Sequence, residues 1–367
     1  MPTLIKTFSL DTLINKNTIG RYVGHRYTEG CEFPYIISLK PKSFIRISNP
    51  NTDFFFRLGY FLWIMKGSNT LKPLQYYGSY YDSLTDDGET LRGAIGPRIR
   101  YWVGADSLQE AINKNINVED EEEFVKPEGV DQLKAIFNDL KAGVESSTAI
   151  ILDPAIDFGI SNCIPDLHKV DFYVDGDNIG VNLCFGCIED INLIINDVWV
   201  FDLLLHIYAG LLDKKASTVN IIINKCKLKR EFYNVLEENF LNDDDYEDIT
   251  NFNCTDFEYT NNYETFWQDL ISLFNFEKHL KLQINKSIIG NSEVSVESLL
   301  NRLENKFINS MDSKFLKNYA YSMMSCAFIK YFKGYLNYNK IIHELNVKIT
   351  DDSFLSEIDE YQSQLNS

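Results

Sequence analysis

The run INLIINDVWVFDLLLHIYAGLL (191–212) constrains the fold more than any other stretch. A segment this long and this apolar must be covered on every side, by lipid or by protein. Asp197, Asp202 and His206 interrupt it, and three ionisable groups make a bilayer span costly. The spacing therefore predicts a buried helix from about Val198 to Leu212, entered from a loop. Neighbouring segments can supply the cover. VDFYVDG and NIGVNLCFG precede it, joined by a turn at Asp175 to Asn178, and the β-branched run TVNIIIN (218–224) follows it. Aromatics at 14% agree with a folded, sheet-containing protein.

The remaining pattern extends that plan. Residues 35–49 alternate like a strand interrupted at Pro41. A helix is predicted from about Thr52 to Lys66, with Phe55, Phe56, Gly59, Tyr60, Trp63 and Ile64 at helical spacing and Gly67 as its stop. DDGETLRG (86–93) is turn-rich, a short helix is expected around Ser107 to Asn113, and the acidic run VEDEEEF (118–124) reads as a solvated loop. A helix near Val130 to Ala142 leads to a strand TAIILDP (148–154). Past Asp243 the character changes to a polar link and then to apolar stripes at helical spacing over residues 262–367. Two units are expected: a main domain over residues 1–242 and a helical C-terminal extension over residues 243–367, packed on it.

Composition narrows the function. With 367 residues, 45% of them apolar, the chain can bury a large core. Its net charge of -18 opposes a groove that tracks phosphates by releasing counterions, so nucleic acid is not an expected partner. The N-terminal stretch lacks the long apolar core of a signal peptide, and no membrane is expected. Seven scattered cysteines fit reduced thiols and a cytoplasmic location. Cys184 and Cys187 form a CxxC, but no second pair or His pair has zinc spacing, and three residues apart on a strand they point to opposite faces. No metal is expected.

Several motifs then fall in a recognisable order. FLWIMKGSNTLKPLQYY (61–77) is similar to LLWxLxGSNDLxxIxYY, and SLTDDGETLRGAIGPRIR (83–100) to FSDDGxTLxGAYGPRLR. FYVDGDNIGVNL (172–183) and NDVWVFDLLLHIYAGLL (196–212) resemble QFYVxDGxLxxxV and YDVFxFTxLQxxLA. Those patterns, in that order, belong to the thymidylate synthase and deoxycytidylate (dCMP) hydroxymethylase family, and the resemblance covers roughly residues 20–225. It implies an α/β fold with a large curved mixed sheet flanked by helices, and with the sheet as a dimer interface. It also implies a chemistry in which a cysteine thiolate adds to C6 of a pyrimidine nucleotide and C5 takes a one-carbon unit from methylenetetrahydrofolate.

Laid on the family's motifs, most of that chemistry is missing. The nucleophile position falls on Asp166, and a carboxylate there is a poor nucleophile that repels a substrate phosphate. The catalytic Glu corresponds to Tyr60, the Tyr of GAYGPR to Ile95, the phosphate Arg and its Ser to Gly186 and Cys187, and the His of HxYxNH to Asn220. The arginines lent by the partner subunit fall near Ser146 and Ser147. Some positions survive. Asp197 stands at the base-reading position, where an acceptor suits the exocyclic amine of cytosine, although a helix N-terminal acid explains it nearly as well. Glu189 stands at the folate position, and Arg21, Arg26, Arg98 and Arg100 remain phosphate candidates. Cys163, three residues before Asp166, is the alternative nucleophile.

The expectation is a family member that has lost catalysis, needs no cofactor and acts as a dimeric scaffold, regulatory or partner subunit. It would form a homodimer, or a heterodimer with an active paralogue, in pyrimidine nucleotide metabolism. Two alternatives accompany it: a divergent C5-(hydroxy)methyltransferase using Cys163 and methylenetetrahydrofolate, and a sensor that binds a pyrimidine nucleotide or nucleoside without chemistry.

Overall fold

The computed structural model describes residues 35–39, 53–85, 87–102, 129–157, 164–188, 191–226, 262–290, 296–333 and 337–366. The elements in chain order are β1 (Tyr35–Leu39), α1 (Phe54–Met65), α2 (Leu71–Gln75), α3 (Ile95–Arg100), α4 (Gln132–Lys141), β2 (Ser146–Ile150), α5 (Pro154–Asp157), β3 (Leu167–Asp175), β4 (Asn178–Ile188), α6 (Ile191–Leu211) and β5 (Lys215–Cys226). Helices follow to the end of the described chain: α7 (Tyr263–Gly290), α8 (Val296–Leu303) running into a π-helical turn Glu304–Ile308, α9 (Lys314–Tyr331), α10 (Tyr338–Val347) and α11 (Asp352–Asn366).

The architecture is mixed α/β. Among the described residues, one five-stranded sheet has the order β1-β5-β4-β3-β2. Only β4 and β5 run parallel; the other neighbours are antiparallel. Parallel neighbours need a crossover, and α6 supplies it. Alternation along the strands sends Val170 and Phe172, Val181, Leu183 and Phe185, and Val219, Ile221 and Ile223 to one buried face. α6 packs on the strands there, with the Phe172 and Tyr208 rings 4.7 Å apart. The opposite face is half-buried and more polar: Asn220 Nδ2 donates to Asn182 Oδ1 at 2.8 Å and to the Tyr173 hydroxyl at 3.2 Å.

α1 is buried along its whole length, Arg57 included. Asp53 caps it by accepting from the Phe55 N–H at 2.7 Å, and Gly67 ends it at φ +72°. Such burial needs cover on two sides. Phe54 meets Trp199 of α6 edge-to-face at 6.3 Å, while Phe61 packs on Tyr319 of α9 at 5.5 Å and Phe54 on Phe354 of α11 at 6.2 Å. Each phenylalanine buried in this way contributes on the order of 2–3 kcal/mol. The C-terminal helices and the sheet domain therefore share one apolar cluster, running from Phe54 to Tyr361. Arg57 to Glu357 (2.6 Å) and Lys66 to Glu277 are ion pairs across the same junction.

Three boundaries differ from the sequence expectation. α6 begins at Ile191 rather than Val198, so Asp197 lies in its second turn and is no N-terminal cap. The strand expected over 148–154 stops at Ile150. There the Gln132 side chain takes both outward groups of Ile150, accepting from its N–H at 2.9 Å and donating to its carbonyl at 2.8 Å. The next two amides, of Ile151 and Leu152, both donate to the carbonyl of His168, and Pro154 opens α5. β5 is longer than its β-branched centre. The helix expected at 107–113, the acidic run 118–124, the second half of the 35–49 stretch and the polar link after Asp243 lie outside the described residues.

Candidate functional site

Asp166 occupies a bend just before β3, its carbonyl accepting from the Gly186 N–H at 2.8 Å. That bond fixes the start of β3 against the end of β4. From there the Asp166 charge reaches Asp197 on α6. Tyr60 of α1 completes the group: its hydroxyl donates to Asp197 Oδ1 at 2.8 Å. Three positions scattered through the sequence are thus brought together by a strand and two helices.

The electrostatics follow from burial. Desolvation pushes the Asp197 carboxyl up to about 8; the Tyr60 hydrogen bond opposes this and the Asp166 charge adds to it. At neutral pH Asp197 is a neutral acid whose Oδ1 is already occupied. Burial, and then the neighbouring Asp197, hold the Tyr60 phenol well above its ordinary value. The phenol ring is clamped as well, stacked between Trp63 and Phe56 at 5.8 Å each and on Tyr81 at 5.3 Å. A protonated acid bonded to a phenol can share protons between helices, but it offers no nucleophile. Ile95, the first residue of α3, is buried and brings no proton-transfer group.

Of the phosphate candidates, Arg98 and Arg100 lie among the described residues, and both are held inside the core. Arg98 is 1% exposed, and both of its terminal nitrogens reach Asp157, Nη1 at 2.7 Å and Nη2 at 2.6 Å. The same nitrogens also donate to the carbonyls of Ile151 and Arg92. This bidentate fork is spent on the α5 turn instead of a phosphate. Arg100 is fully buried; Nη1 donates to Asp131 Oδ1 at 3.1 Å and to the Tyr263 hydroxyl at 3.2 Å, and the guanidinium lies 4.3 Å from the Trp267 ring centre. Both arginines therefore tie elements of the core together.

At Gly186, where the resemblance would place a phosphate arginine, His168 takes the space. A Cβ built there would stand 2.2 Å from His168 Nε2 and 2.3 Å from Cε1, so that end of the imidazole packs against the glycine. His168 reaches across because β3 bulges between Leu167 and Lys169. Asn220 faces away from Tyr60 and Asp197, in the ladder with Asn182 and Tyr173 on the other side of the sheet. Ser147 donates to Asp139 at 2.6 Å, and Ser146 starts the edge strand β2. Cys187 pairs with Lys225 in the β4–β5 ladder, but its side chain lies outside the described residues, as do Cys163, Glu189, Arg21 and Arg26.

Sequence reasoning missed Asp157, Asp131, Tyr81 and the role of His168. One signal was present. In Leu167-His168-Lys169-Val170 two polar residues separate consecutive core positions, a break in alternation that marks a bulge. Neither a protein-family model nor a curated protein matches the chain. The described residues form a mixed α/β protein in which Tyr60 bonds to Asp197 at the candidate site.

Proposed function

We propose that this chain has the thymidylate synthase and dCMP hydroxymethylase fold without its catalysis, and serves as a dimeric scaffold, regulatory or partner subunit in pyrimidine nucleotide metabolism. The observation that carries the reading is the Tyr60–Asp197 hydrogen bond. It joins the position of the proton-handling group to the position of the base reader, and it engages one of the two carboxyl oxygens that a cytosine amine would meet. The imidazole against Gly186, the Arg98 fork held by Asp157 and the complete burial of Arg100 agree with it, since each leaves less room for a phosphate. The β3–β4 hairpin and the buried crossover helix α6 support the fold assignment. The polar, half-buried outer face of the sheet is where the partner copy, or an active paralogue, would sit.

Thermal melts with dCMP, dUMP and methylenetetrahydrofolate test the reading. Unchanged midpoints at millimolar ligand are expected. A nucleotide at a hundred times its Kd would add about 2.7 kcal/mol, so a clear shift with dCMP or dUMP overturns a pure scaffold. Tritium release from C5-labelled nucleotide that disappears in Cys163→Ser would establish the transferase instead. Sedimentation of the full chain, alone and with an intact synthase, should give a dimer or a mixed dimer; a monomer in both removes the partner role.

A further inference from the structure

We draw no further inference here: the strongest candidate, the open cleft between α8 with its π-helical turn and α10, floored by Met324 and rimmed by Asn301, Glu304, Lys340, His343 and Lys348, carries nothing because Glu304 already pairs with Lys348 and Lys340 with Glu344, and nothing in the structure shows what would cover it.

Discussion

Tyr60 Oη lies 2.8 Å from Asp197 Oδ1, joining two buried side chains 137 positions apart. The bond links α1 to α6 at the point where the sequence resemblance places a catalytic Glu and a base reader. In water an exposed carboxylate would ionise and accept from many donors. Here burial keeps the acid neutral, and the phenol is the one side-chain donor described for it. A site of this kind contributes to stability in a way that depends on pH.

The folded pKa of Asp197, about 8, lies above the ordinary carboxylate value of 3.8, so the folded chain holds a proton that the unfolded chain releases. Its contribution is fully present below about pH 4 and is lost as pH rises towards 8. Asp197→Asn keeps an acceptor for Tyr60 and removes the ionisation. Urea melts should show the variant gaining on the order of 2 kcal/mol over the parent between pH 6 and pH 8.5. Parallel pH profiles for the two proteins would refute the neutral-acid assignment.

Two glycines near the site predict different outcomes. A Cβ on Gly96 would stand 2.9 Å from the Ser68 carbonyl oxygen, which is backbone and cannot turn aside. The nearest atoms to a Cβ on Gly186 belong to the end of the His168 side chain, which is half-buried and can rotate. Gly96→Ala should cost about 1–3 kcal/mol, with Gly186→Ala well below that. Chemical denaturation measures both, and equal losses would contradict the packing described around Gly96.

How much was legible follows from which signals are local. Periodicity marked α1, α4, the β3–β4 hairpin and the helical C-terminal third, because one face of each is buried and the pattern repeats within the element. The start of α6 was not legible: Asp197 resembles a cap in sequence, and only tertiary burial lets an acid sit inside a helix. The fates of Arg98 and Arg100 were hidden for a similar reason. Their partners, Asp157 and Asp131, stand 59 and 31 positions away, with nothing in the sequence to join them. The site group Tyr60, Asp166 and Asp197 was reached through the resemblance, while its closure on itself needed coordinates.

Arg98 provides a test of structural against binding roles. Lysine at this position keeps the charge but loses the planar fork that meets both oxygens of Asp157 and two backbone carbonyls. Arg98→Lys should therefore destabilise the fold by about 2–4 kcal/mol, seen as a lower denaturation midpoint without any ligand. A variant as stable as the parent would return Arg98 to the phosphate candidates.

The junction between α1 and the C-terminal helices rests on Glu277. Burial opposes its ionisation, but Lys281 and Lys66 outweigh that and bring its pKa down to about 2; the Tyr77 hydroxyl donates to the same carboxylate. A folded pKa below the ordinary 4.5 means that its contribution is present above about pH 4.5 and is lost as pH falls towards 2. Glu277→Gln removes the buried carboxylate that Lys66 and Lys281 share and should cost about 3–5 kcal/mol at pH 7. Replacing the group together, with Lys66→Met, Tyr77→Phe and Glu277→Leu, removes the buried charge and should recover most of that loss, since Lys281 also reaches the Pro73 carbonyl. Denaturation of the parent, the single variant and the triple variant at pH 7 and pH 4 decides the matter. If the triple variant is no more stable than Glu277→Gln, the carboxylate does more at this junction than offset two lysines.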